Sequence, residues 1–174
     1  MMPPRTVART LGLLLSLGLL GLACHEEPVD CANGTCVCPA GQSCDIECAA
    51  PPCHVDCEPD SNCNSQCANG SCTCRESATC TFSCLAPPCH VICEGDHPQC
   101  DGACANGECT CGPDSRCDFV CDAPPCHANC GAGSSCSLQC PDGLNGNCSL
   151  DTCDGGAMSC PNGTTAVCGV PCPE

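Results

Sequence analysis

The chain reads as a small, disulfide-rich β protein: an array of short strands with no sizeable hydrophobic core. Three observations carry this reading. Cysteine makes up 31 of 174 residues, well above the roughly 8–10% that marks a disulfide scaffold in a short secreted chain. One eight-cysteine pattern occurs three times, at 31–66, 67–103 and 104–139; each copy runs C-A-N-G-x-C-x-C, then C-x3-C, then A-P-P-C-H-x-x-C, then one more cysteine. Apolar material is scarce: beyond residue 24 there are 16 Val, Leu, Ile, Met and Phe residues, no Trp or Tyr, and only Phe82 and Phe119 as aromatics. Ordering a backbone costs on the order of 1–2 kcal/mol per residue, and this composition cannot offset that by burial alone. Disulfides, at about 2–4 kcal/mol each, are the remaining source of stability.

The chain opens on an export signal, residues 1–23. Arg5 and Arg9 supply the charged end, and Leu11 to Leu22 form an uncharged stretch with eight leucines. A stretch this short falls below the roughly 20 residues a membrane-spanning helix needs. It ends Gly21-Leu22-Ala23-Cys24. These four residues resemble the lipobox of bacterial lipoproteins, although Gly21 stands where that motif usually has Leu, Val or Ile. The resemblance implies cleavage before Cys24 and lipidation of its thiol. Parity points the same way. Setting Cys24 aside leaves eight cysteines in each repeat and six in the tail, so every unit can close internally. Residues 24–30 then form the lipidated cysteine and a short tether.

Inside the repeats, segments such as C-D-I-E-C (44–48), C-H-V-D-C (53–57), C-T-F-S-C (80–84) and C-D-F-V-C (117–121) share the form C-x-h-x-C. In an extended strand alternate side chains share a face. The two cysteines and the middle residue therefore point inward, while Asp, His, Thr and Ser point to water. Such segments recur about every nine residues, separated by Pro-Pro, Asn-Gly, Pro-Asp or Gly turns. Two arrangements fit: a narrow β-solenoid of stacked rungs, which the even sub-period favours, or a string of separate disulfide knots. Asn-Gly within C-A-N-G-x-C is a strong two-residue hairpin signal. A hairpin there would pair Cys31 with Cys36, Cys67 with Cys72, and Cys104 with Cys109, among the 105 connectivities that eight cysteines allow. The tail, 140–174, has lost the A-P-P-C-H and C-x-C elements. It reads as a divergent capping unit.

The charge excludes one class of partner. The processed chain carries 20 acidic residues against Arg75 and Arg116, with no lysine. Such a surface repels nucleic acid and anionic lipid. The acids are scattered and match no D-x-D-x-D-G calcium loop.

Three motifs bear on chemistry. Residues 48–54, 84–90 and 121–127 contain C-x4-C-H, which resembles the wide-spaced haem c attachment site of some multihaem cytochromes; that would make His54, His90 and His127 iron ligands. The prolines inside the motif oppose the helical turn such sites adopt, and only His25 and His97 remain as distal ligands. The C-x-C steps at 36–38, 72–74 and 109–111 resemble those of metallothioneins, implying soft-metal thiolate binding. The chain has no C-x2-C, and an oxidising compartment pairs thiols. Residues 33–44 resemble part of an epidermal-growth-factor-like module, which keeps the knot string open. No G-x-S-x-G, H-E-x-x-H or paired-carboxylate arrangement occurs.

The sequence thus predicts a non-enzymatic exported lipoprotein without a cofactor. It would be a structural or adhesive module at the outer membrane or cell surface, held by its lipid and facing an unidentified surface or protein partner. The alternatives are a thiol-based metal-binding or redox protein, with His54, His90 and His127 as accessory metal ligands, and a secreted inhibitor-like knot string.

Overall fold

The computed structural model describes residues 29–30, 34–48 and 50–174. Every regular element among them is a strand: β1 (Val29–Asp30), β2 (Thr35–Cys38), β3 (Ser43–Glu47), β4 (His54–Cys57), β5 (Asn62–Cys74), β6 (Thr79–Cys93), β7 (Gln99–Cys111), β8 (Arg116–Cys130), β9 (Ser135–Gln139), β10 (Cys148–Thr152), β11 (Met158–Ser159) and β12 (Thr165–Cys168).

These strands wind into a β-solenoid of about six turns. Each of β5 to β8 is a whole turn. The chain runs out along one face, rounds a corner and returns along the other. Turns pair in parallel, β5 with β6, β6 with β7 and β7 with β8. The pairing runs unbroken through the copy boundaries, since Gln66/Cys67 lies inside β5 and Ala103/Cys104 inside β7. The three copies are therefore not separate knots. One 36-residue copy is two turns of the coil, and the nine-residue sub-period is one face of one turn.

The core is a thin slab of sulfur and a few hydrocarbon groups. Alternate residues of each strand point into it, as in the buried-exposed alternation of β8, where Cys117, Phe119 and Cys121 are buried. On one face Ile46, Ser65, Phe82, Gly102, Phe119 and Leu138 lie in register through successive turns. On the other, Cys36, Val55, Cys72, Val91, Cys109 and Ala128 do the same. Large and small alternate through the first four turns, where one with Phe82 and Val91 is followed by one with Gly102 and Cys109; the pattern lapses where Leu138 follows Phe119. A Cβ on Gly102 would sit 3.2 Å from Val91 Cγ2, so the bulky turn fills the space that the small turn leaves. This alternation is the physical meaning of the two-turn repeat.

Asn69-Gly70 and Asn106-Gly107 do not form the antiparallel hairpin expected of them, and Asn33 lies outside the described residues. In a slab this thin the segments on either side of Asn69-Gly70 take opposite faces and hydrogen-bond to neighbouring turns rather than to each other. Asn69 and Asn106 adopt left-handed φ of 47° and 48°, a region Asn tolerates better than most residues. Gly70 follows for a different reason. A Cβ there would lie 2.2 Å from the Cys53 carbonyl oxygen of the turn before.

The opposite corner also turns through the left-handed region, at Gly41, Asp60, Ser77, His97, Asp114 and Gly133, with φ between 54° and 73°. These corners stack through backbone bonds such as Asp60 N–H to Glu76 O (3.1 Å) and Asp114 N–H to Ala132 O (3.0 Å).

The tail ends the stack. β10 continues the parallel pairing on β8, but β12 lies antiparallel on β9, with β11 antiparallel beyond it. Cys153–Cys168 and Cys160–Cys172 interleave and fasten this cap.

Candidate functional site

Sulfur is the dominant chemistry of the molecule, so the arrangement of its bridges comes first. Fourteen disulfides join described residues. From Cys38 to Cys148 the order is simple: each cysteine bonds to the next in sequence. One series closes the corner within each turn: Cys48–Cys53, Cys67–Cys72, Cys84–Cys89, Cys104–Cys109, Cys121–Cys126 and Cys140–Cys148. The other links the end of one turn to the start of the next: Cys38–Cys44, Cys57–Cys63, Cys74–Cys80, Cys93–Cys100, Cys111–Cys117 and Cys130–Cys136.

The pairs Cys67–Cys72 and Cys104–Cys109 are thus bonded, across solenoid corners rather than hairpins. Cys36 is disulfide-bonded; Cys31 lies outside the described residues, as do Cys24 and its leader. The cysteines of the three C-x4-C-H motifs are bonded to each other, leaving no thiol there for a porphyrin vinyl group.

The bridges of the second series form two columns. Cys44, Cys63, Cys80, Cys100, Cys117 and Cys136 are in register on one face, and Cys38, Cys57, Cys74, Cys93, Cys111 and Cys130 on the other. Among the described residues, the ligating atoms of Cys57, Cys63 and Cys80, and of Cys93, Cys100 and Cys117, lie mutually within 4.8 Å. All six sulfurs are in disulfides, and a metal-ligating sulfur is a thiolate.

His54, His90 and His127 project from one outer face, two turns apart. Adjacent strands are spaced about 4.8 Å, so successive imidazoles stand roughly 10 Å from each other and share no ligand position. The intervening turn places Ser71 or Glu108 between them. The Ser71 backbone N–H donates to His54 Nδ1 (3.3 Å) and the Glu108 N–H to His90 Nδ1 (3.2 Å). These contacts use Nδ1 as an acceptor. A metal-binding histidine has the reverse arrangement, donating through the nitrogen that does not bind the metal. His127 differs. Its Nδ1 lies 3.0 Å from Asp151 Oδ2 and 3.1 Å from Ser149 Oγ.

Several acidic residues meet donors on neighbouring turns. Asn64 Nδ2 donates to Asp45 Oδ1 (2.8 Å), Ser137 Oγ to Asp118 Oδ1 (2.7 Å), and Asn129 to Glu108. Arg75 spans three turns. Its Nε and Nη2 donate to Asp56 at 2.6 and 2.9 Å, and its Nη1 to Glu94 at 2.8 Å. The Asp56 hydrogen bond and charge, with a smaller contribution from Glu94, raise the arginine's pKa. Sequence reading gave Arg75 no role; only the register reveals that it stands between two acids.

Among the described residues, a groove of about 240 Å³ lies where Asp122 and Pro124 of the last full turn meet Asp142, Asn145 and Asn147 of the cap, and a larger one of about 370 Å³ lies where Arg116 and Ser135 meet Val170 and Pro171. The molecule is defined at this level as a disulfide-laddered β-solenoid. No protein-family model, curated protein or solved structure matches the chain.

Proposed function

We propose that this protein is an exported, lipid-anchored envelope module whose work is structural or adhesive and non-catalytic. The observation that carries the reading is the closed winding of the bridges: every turn is sealed locally, giving a rigid rod without a large core. Such extensive pairing belongs to an oxidising, extracytoplasmic environment. The leader supports export, and the odd cysteine Cys24 supports a lipid anchor just ahead of the coil. The flat acidic faces, with acids held by neighbouring turns, suit a surface that stays soluble and presents polar side chains to a partner that is not nucleic acid.

The test is the intact mass of protein extracted from membranes and alkylated with and without reduction. The reading expects no adduct before reduction, 30 after it (31 cysteines less Cys24), and a diacylglycerol-sized increment on a chain that starts at Cys24. Abundant thiols before reduction, or retained metal or haem mass, would replace it with the thiol-chemistry reading.

A further inference from the structure

We propose that the turn-linking bridges act as exchange couples: a thiolate freed in one turn attacks the bridge of the turn before and is handed on. Among the described residues two such couples are built into the stack, Cys57–Cys63 with Cys74–Cys80, and Cys93–Cys100 with Cys111–Cys117.

The geometry singles them out. Cys80 Sγ lies within 4.8 Å of both sulfurs of a bond it does not belong to, Cys57–Cys63, and Cys117 Sγ stands likewise to Cys93–Cys100. The register supplies the rest. Cys63 sits beside Cys80 and Cys57 beside Cys74, so the four sulfurs admit two complete pairings: the native one across each corner, and a second between turns.

Exchange proceeds by thiolate attack on a disulfide sulfur. An external dithiol first reduces Cys74–Cys80, supplying two electrons and becoming a disulfide itself. The Cys80 thiolate then attacks Cys63 Sγ. The Cys63–Cys80 bond forms, the Cys57–Cys63 bond breaks, and the electron pair leaves on Cys57 as a thiolate, which takes up a proton according to pH. Cys57 and Cys74 are now the dithiol. These sulfurs belong to residues at most 1% exposed, so a neighbouring bridge is closer at hand than any reagent in solution, and a group held beside its reaction partner has a large effective concentration. Reducing equivalents entering the rod are relocated within it instead of opening the turn they entered.

The decisive variant is Cys74→Ser, which leaves Cys80 without its partner. After incubation at neutral pH, acid quench, alkylation and peptide mapping, label should divide between Cys80 and Cys57, with a peptide pair joined by Cys63–Cys80. Label confined to Cys80, with Cys57–Cys63 intact, overturns the proposal. Cys67→Ser is the control, because Cys72 belongs to neither three-sulfur cluster; its label should stay on Cys72, and label spread over many cysteines there would assign exchange to unfolding and overturn the couples too. Native protein treated with less than one equivalent of dithiol gives the same answer if Cys74→Ser does not fold. A Cys63–Cys80 or Cys100–Cys117 linkage is expected, and loss of native linkages with no new one overturns it.

Discussion

The three Asn-Gly pairs look identical in sequence, yet the glycines face different surroundings. Among the described residues nothing lies within 4 Å of a Cβ placed on Gly34, whereas one on Gly70 would meet the Cys53 oxygen at 2.2 Å. Gly70→Ala should therefore cost about 1–3 kcal/mol, as overpacking does, and Gly34→Ala should stay within about 0.5 kcal/mol. Denaturant unfolding of both under non-reducing conditions checks this. The Arg75 clamp is a weaker device than its distances suggest, because the side chain is 42% exposed and Glu94 50%. Screening holds such pairs to about 1 kcal/mol or less. Arg75→Ala should lower the unfolding midpoint slightly, and the difference should shrink in high salt. The arginine's pKa is raised, so its contribution is complete below the ordinary guanidinium range and is lost only above it; the mutant's deficit should not vary with alkaline pH short of that range.

At the level of the turn, alternation of large and small interiors decides what each strand tolerates. Phe119 is 1% exposed, with Gly102 in register before it and Leu138 after. Phe119→Ala should cost about 3–5 kcal/mol, read as a shift in denaturation midpoint with the disulfides intact. Ser77 holds a left-handed φ of 57° at the position Gly41 and Gly133 occupy in other turns. Ser77→Gly should stabilise by a few tenths to about 1 kcal/mol, since relief of the left-handed penalty exceeds glycine's added backbone entropy. Much of this level was legible in the sequence. C-x-h-x-C carries its own alternation, and nine-residue spacing with turn formers announces rungs. The mode of the Asn-Gly corner was not legible, because a hairpin and a solenoid corner use the same left-handed residue and differ only in which strand accepts the hydrogen bonds. The cross-turn partners Arg75–Asp56 and His127–Asp151 were hidden for the same reason. They depend on register between residues 19 and 24 positions apart.

For the whole molecule, the bridges stand in place of a core. Short closed loops contribute on the order of 2 kcal/mol each, and what lies between them is a single layer of sulfur, Phe, Val and Ile. Full reduction and alkylation should abolish the β signal in circular dichroism and the resistance to proteases together; a reduced chain that kept its strands would mean that packing alone suffices.

The pairing of each cysteine with its successor bears on how such a rod is made. A chain exported from its N-terminus can seal one coil as soon as five to eight further residues have emerged, without waiting for distant sequence. Such pairing permits vectorial winding, and an added or deleted pair of coils would leave the partner rule of the other bridges unchanged. Among the bridges that join described residues, those of Cys153, Cys160, Cys168 and Cys172 alone break the rule. Cys153–Cys168 and Cys160–Cys172 cross each other and cannot both close until Cys172 has emerged, so the antiparallel cap locks only after the coils it covers.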